Sequence, residues 1–144
     1  MANIIPDSFK LELLSGTHNF ASGGNTFKIA LYVTTLGPPY TTSSTVYSTS
    51  NEVSSSGTGY TTGGQLLDGQ GVSVPGCNTA TVDFTNEVFS DVTLTSLGAA
   101  IYNKTNCNKL CLVIDFGGNK VATAGDFTIQ FPADAASTAI IQVA

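Results

Sequence analysis

Arginine and tryptophan are absent from this chain, and histidine and methionine occur once each. Charge is scarce: charged residues make up 10% of the 144 residues, against about 25% in an average soluble domain. Each shortage excludes something. Five lysines without arginine cannot line a phosphate-neutralising stripe, so no nucleic-acid partner is expected. Without tryptophan, a glycosidase lacks its usual sugar platform beside paired carboxylates. The single imidazole, His18, follows Gly16-Thr17, and no Gly-x-Ser-x-Gly elbow accompanies it. Nucleophilic and general-base catalysis therefore lack their usual partner, and His18 reads as structural or surface-exposed. The longest apolar run spans residues 110–114, far short of the about 20 residues of a membrane span. The opening MANIIPDSFK has no basic stretch followed by an apolar one, so no secretory signal is expected. Neither a P-loop nor a DxDxDG calcium loop is present. Neither enzymatic activity nor a cofactor is expected.

What the chain has instead is 20 threonines, 14 serines and 15 glycines. Hydrophobic residues reach 42%, the mean hydropathy is +0.19 and the net charge is −5. Disordered chains are poor in apolar residues and rich in charge, so a folded core is expected. The length fits one domain over residues 1–144. Its surface must be Ser, Thr, Asn and Gly, which suits a protein packed against partners.

SFKLELLSG, residues 8–16, reads as a two-turn helix. Asp7 or Ser8 is placed to cap it, Phe9, Leu13 and Leu14 form its apolar face, and Gly16 supplies the left-handed end. In TFKIALYV, Phe27, Ile29, Leu31 and Val33 alternate with Lys28, Ala30 and Tyr32, the period of a half-buried strand. Gly37-Pro38-Pro39 breaks it. From residue 34 to 64 periodicity dissolves into Ser and Thr, which suggests an ordered excursion or a contact arm. Asp68-Gly69-Gln70-Gly71 between residues 65–67 and 72–74 signals a hairpin. Further short strands are expected at 79–84, 92–95, 99–103, 110–116, 127–131 and 138–143. Turns fall at 104–109 and Gly117-Gly118-Asn119. The pattern predicts a mainly β fold: an antiparallel β-sandwich, jelly-roll or immunoglobulin-like, with one short N-terminal helix. Its expected core is Phe27, Ile29, Leu31, Val82, Phe84, Leu112, Ile114, Phe127, Ile129 and Phe131. Leu110, Leu112 and Ile114 are expected to share one strand face, with Cys111 and Val113 on the other.

Cys77, Cys107 and Cys111 form neither a standard zinc spacing nor an even disulfide set. Reduced thiols are the plain reading, with a disulfide or a metal site shared with His18 as alternatives. The ten carboxylates read mostly as turn formers and solvated charges. Asn103-Lys104-Thr105 matches a glycosylation sequon but carries no weight without a secretory signal.

MANIIPDSFKLELLSGTHNF followed by GGNTFKIALYVTT resembles the opening of a family of small tailed-bacteriophage structural proteins. Its members typically combine a Ser-Phe-Lys helix, a Leu-Leu-x-Gly end, a His-Asx-hydrophobic step and a Lys-Ile/Val-Ala-Leu-Tyr strand. Residues 51–64 resemble that family's Asn-Glu-Val-Ser-Gly-Thr-Gly-Tyr-x-x-Gly-Gly stretch, with a two-residue Ser insertion. ATVDFTNEVFSDVTLTSLGAAIYN resembles its Asp-Phe … Val-x-Trp … Ala-x-Gly-Ala-x-Ile-Tyr run, and VIDFGG and GDFTIQF its late strands. The resemblance spans essentially the whole chain in order. Phe89 or Leu94 stands where the family has Trp, Leu97 replaces an often polar residue, and the cysteines are private to this chain.

The resemblance implies a non-enzymatic virion structural protein made in the bacterial host cytoplasm. The leading expectation is a capsid decoration (cement) protein on the head surface, bridging major capsid protein subunits. A homotrimer is favoured because icosahedral lattices offer three-fold junctions. The alternative is a tail or fibre component contacting the host surface. Tyr40, Tyr47, Glu52 and Tyr60 are the candidate partner-contact residues, since amphipathic tyrosines suit interfaces. On that reading, deleting residues 42–56 would leave a folded domain unable to bind capsids.

Overall fold

The alternation at Phe27, Ile29 and Leu31 produces strand β1 (Phe27–Tyr32). The computed structural model describes residues 3–34, 40–76 and 78–144. Cys77 and Gly37-Pro38-Pro39, singled out in the sequence, lie outside the described residues. The chain is mainly β, with helix α1 (Asp7–Leu14) followed by β1, β2 (Gln65–Leu66), β3 (Gly71–Gly76), β4 (Thr79–Asp83), β5 (Glu87–Asn103), β6 (Lys109–Ile129) and β7 (Ile141–Val143). Two antiparallel sheets form, in the orders β2-β1-β5-β6 and β3-β4-β7. They make a β-sandwich with one short helix.

The interior is one apolar cluster shared by both sheets. Phe27, Ile29 and Leu31 of β1, Ile101 of β5 and Leu112 of β6 meet Val82 of β4, Ile141 of β7 and Phe84. The Phe20 ring stacks on Phe27 with centroids 4.3 Å apart, and Phe84 meets Phe27 edge-on at 6.0 Å. Nine of the ten expected core residues are buried, and Ile114 packs against the cluster while partly exposed. Truncating Phe27 or Phe127 to Ala removes a ring that the backbone cannot replace, at a cost of about 3–5 kcal/mol. Urea denaturation of the two variants measures it, and a loss below about 1 kcal/mol at both would contradict the assigned faces.

The helix ends as its sequence indicates. Gly16, at φ 77°, lets its N–H reach the Leu13 carbonyl, and Thr17 N–H reaches that of Glu12 at 2.8 Å, which together satisfy the last carbonyls. Its start and its outer face differ from expectation. No side chain caps it, and the Ser8 hydroxyl instead donates to the Ser44 carbonyl. Phe9 is buried and Leu13 packs on the core, but Leu14 points to solvent.

Four readings of the strands are corrected. β1 is buried on both faces, since Ala30 and Tyr32 are as inaccessible as Ile29 and Leu31. Residues 65–67 and 72–74 do not pair with each other: β2 borders β1, while β3 pairs with β4 in the other sheet. The link crosses between sheets, held by the Gln70 amide donating to the carbonyls of Ala21 and Asn25. Gly117-Gly118-Asn119 is no turn between strands. It lies in a bulge of β6, where Asp115 faces Gly98 and Lys120 faces Ser96, so four residues oppose one. Finally, Tyr102 faces Leu110 and Ile101 faces Leu112, which leaves Cys111 as an extra residue in β6. That bulge shifts the phase: Leu110 and Val113 cover the outer face of the first sheet, while Cys111 and Leu112 enter the shared core.

Candidate functional site

The Ser/Thr-rich segment lacks periodicity because its order comes from side-chain hydroxyls rather than a ladder. Thr41, Ser48, Ser54 and Thr58 each accept, through the side-chain oxygen, the backbone N–H two residues on, at 3.1–3.2 Å. Such turns are a normal use of Ser and Thr outside regular structure. Between them the segment touches β6, at one edge of the first sheet, and the end of β1 beyond its pairing with β2. At β6, Tyr47 N–H donates to the Asn108 carbonyl and Leu110 N–H to that of Thr45. At β1, Val33 N–H donates to the Asn51 carbonyl and Val53 N–H to that of Leu31. Residues 40–64 are thus a strap across the outer face of the sheet, over Ala30, Tyr32, Ala100, Tyr102, Leu110 and Val113.

Glu52 is the clasp of the strap. Its Oε2 accepts the Tyr47 hydroxyl at 2.6 Å, and its Oε1 accepts the Tyr60 hydroxyl at 2.6 Å and the Gly63 N–H at 2.7 Å. The Tyr60 oxygen in turn accepts the Leu31 N–H at 3.0 Å. The Tyr102 hydroxyl donates to the Gly63 carbonyl at 2.6 Å, and its ring stacks on Tyr47 with centroids 4.4 Å apart. Tyr32 and Tyr40 share a 2.7 Å hydroxyl contact and close on the Ser48 backbone. These are all five tyrosines of the chain. Two glycines let the backbone approach this closely. At Gly59 (φ 79°) a Cβ would lie 2.5 Å from the Asp91 carbonyl oxygen, and at Gly64 (φ 71°) 1.8 Å from that of Ile29.

Burial first, and then Glu52, push up Tyr102 to about 12 and Tyr47 and Tyr60 further; burial and then its Tyr40 neighbour push Tyr32 up as well. Burial also raises Tyr40. A group whose folded pKa is raised contributes stability that is full below its unfolded value, near 10 for tyrosine. That stability is lost as pH rises through the folded value. Phenolate absorbance should therefore stay flat through about pH 10–11 and then rise together with loss of far-UV structure. Ordinary titration of even two of the five tyrosines near pH 10 in the folded protein would contradict this.

The four residues expected at a partner contact are engaged within the chain. Tyr40 and Tyr60 are 2% and 3% exposed and present no ring to a partner. Tyr47 and Glu52 are half-buried and engaged with each other. Deleting residues 42–56 would remove the clasp and uncover apolar sheet, so the excised chain should lose stability rather than only binding. Sequence reading missed Tyr32 and Tyr102, which complete the cluster from the sheet side. Their signal was an apolar ring at each supposedly polar position of an alternating strand.

A second polar cluster lies beneath α1. His18, its side chain fully buried, shares a 2.8 Å contact between Nε2 and Glu12 Oε2. Asn103 Nδ2 faces His18 Nδ1 at 3.0 Å and Asn25 Oδ1 at 2.9 Å. Those partners put the ring proton on Nε2, as a donor to Glu12. Lys109 Nζ donates to Glu12 Oε1 at 2.7 Å. Burial raises the Glu12 carboxyl, but Lys109 and His18 outweigh it and hold it below the usual range. Cys111 Sγ lies 3.8 Å from His18 Nδ1. The outline is that of a thiol, base and carboxylate, but the chemistry is inert: burial and the charge of Glu12 push the thiol well up, where it is a poor nucleophile. This cluster ties α1 to the β5–β6 turn. Asn103 is wholly buried within it and offers no amide to a glycan. Cys107 and Cys111 are free thiols, the first exposed and the second buried. Among the described residues, no three His, Cys, Asp or Glu side chains group as metal donors, and no helix is long and apolar enough to cross a membrane.

The comparisons with protein-family models, curated proteins and solved structures find no match to this chain.

Proposed function

We propose that the chain is a virion structural protein of a tailed bacteriophage that decorates the head, bridging neighbouring major capsid protein subunits as a homotrimer. The observation that carries this reading is the ordered resemblance along the chain, centred on the Asn51-Glu52-Val53 … Tyr60 … Gly63-Gly64 stretch. Most of those positions have an architectural role: Glu52 and Tyr60 form the clasp, Gly63 donates its N–H to it, Val53 enters the core, and Gly64 admits close backbone approach. A sequence signature made of clasp and turn residues belongs to a scaffold rather than to a catalyst. The surface agrees. The outside of the strap is an uncharged hydroxyl face, with Thr41, Thr42, Ser54, Ser55, Thr61 and Thr62 exposed.

Bridging adds buried area across capsomer seams, and each contact can be weak when one oligomer binds through several copies. A tail or fibre component is the alternative reading, and the inward turn of the tyrosines bears on both readings alike. Co-sedimentation separates the two readings. The purified protein should pellet saturably with heads that lack it and not with isolated tails. Binding to tails alone would overturn head decoration, and binding to neither would overturn both.

A further inference from the structure

A cleft of about 660 Å³ runs along the outer edge of β6. Seven consecutive residues from Asp126 to Pro132 line it. Successive strand residues point to opposite faces, so a wall made of consecutive residues is a strand edge, where backbone N–H and C=O groups lie. Strand β6 is the terminal strand of its sheet. Extended segments of the chain already add to this edge elsewhere. Ile4 exchanges both backbone hydrogen bonds with Val113, at 2.9 and 2.8 Å, and residues 45–47 pair at Lys109 and Leu110. Beyond Val113, no strand among the described residues pairs with the outer side of β6.

The side-chain environment of the cleft is mostly apolar, with two charged residues, Lys120 and Asp126. Phe116, Phe127, Ile129 and Ile140 are among its apolar lining. Lys120 stands at its margin, exposed, with no ion pair among the described residues. Asp126, also on the rim, is occupied by the Asp91 N–H at 3.4 Å. An edge that accepts strands, an apolar trough beside it and an unpaired cation at its margin specify one occupant.

We infer that the outer edge of β6 binds an extended peptide segment of a partner protein, added as an antiparallel or parallel strand. Its apolar side chains at alternate positions enter the trough, and a carboxylate on it meets Lys120. Main-chain hydrogen bonds supply affinity and the alternate pockets supply selectivity, the usual division in strand addition. The inference stands on the geometry of the edge and does not require the partner to be a capsid protein.

The test uses the full chain and a defined probe, the acetylated and amidated hexapeptide Thr-Val-Thr-Ile-Thr-Glu. Backbone amide spectra are recorded during titration. Saturable shifts confined to residues 3–5, 112–121 and 126–132 are expected, with slowed hydrogen exchange of β6 amides. Lys120→Glu, an exposed substitution that spares the core, should weaken binding about two- to five-fold, as for a solvent-exposed ion pair. A probe ending in Gln in place of Glu should show no such difference between the two proteins. Dodecanoate serves as the competing chemistry. Shifts at the cleft with dodecanoate and none with the peptide would make it a lipid-type site and overturn the inference. So would the absence of any peptide-induced shift, or shifts that map away from the β6 edge.

Discussion

Glu52→Ala is expected to lower the unfolding free energy by roughly 4 kcal/mol. The carboxylate accepts three hydrogen bonds, from Tyr47, Tyr60 and Gly63. A hydrogen bond to a charged group contributes about 1.5–3 kcal/mol, and a buried donor left without an acceptor costs about 1–3 kcal/mol. Tyr60 is the donor that water cannot rescue, since it is 3% exposed. Tyr47 is half-buried and recovers part of its loss from solvent, which keeps the total below three full bonds. Glu52→Gln retains one acceptor oxygen but turns an amide N–H toward a donor, so it should recover no more than about half of the loss. Tyr60→Phe should cost about 2 kcal/mol, and its combination with Glu52→Ala should be clearly less than additive, because both changes break the same bond. Chemical denaturation of the four variants measures the series. Additive losses would mean that the carboxylate and the phenol act independently.

Gly64→Ala is expected to be at least as damaging, and the reason is geometric. A Cβ at Gly64 would stand 1.8 Å from the Ile29 carbonyl oxygen and 2.8 Å from Ala30 Cα, at φ 71°. The obstacle is backbone of a central strand, which has no rotamer to yield. The loss should reach about 4 kcal/mol or more from displacement and left-handed strain combined, enough to leave little folded protein if total stability is near the low end of about 5–15 kcal/mol. Gly57 gives the control. It has the same φ of 71° with nothing within 4 Å of its added Cβ, so Gly57→Ala should cost only about 1–2 kcal/mol for the left-handed backbone. Thermal melts of both variants compare the two terms. Equal losses would show that the close approach of Gly64 to β1 contributes nothing.

The two positions also show what was legible in the sequence. Local periodicity revealed α1, β1 and nine of the buried core residues, because alternation and helical spacing report which side chains face inward. It failed wherever a strand changed phase. The extra residue at Cys111 and the Gly117-Gly118 bulge each break the period of two within β6, so one 21-residue strand looked like two or three short ones with a turn between. Asp91 and Ala124, at φ 53° and 45°, interrupt the β5–β6 ladder in the same way. The link between β2 and β3 carried hairpin residues, yet Gln70 anchors it to Ala21 and Asn25 in another part of the chain, a contact that no local pattern encodes.

The strap was the least legible element. Its order rests on hydroxyl turns and on a carboxylate shared by distant tyrosines, and neither has a period. What the sequence did contain was the coincidence of Glu52 with three tyrosines in an otherwise uncharged stretch. Reading those rings as outward contacts followed their amphipathic chemistry. The fold instead uses that chemistry inward, with rings against the sheet and hydroxyls on the clasp.

Counting copies in purified virions tests the functional reading most directly. Quantitative mass spectrometry of intact particles, with the major capsid protein as internal standard, provides the ratio. A decoration protein seated across capsomer seams should approach the copy number of the major capsid protein and should remain with the heads when tails are removed. A count in the tens or fewer, or recovery with the tails alone, would contradict head decoration.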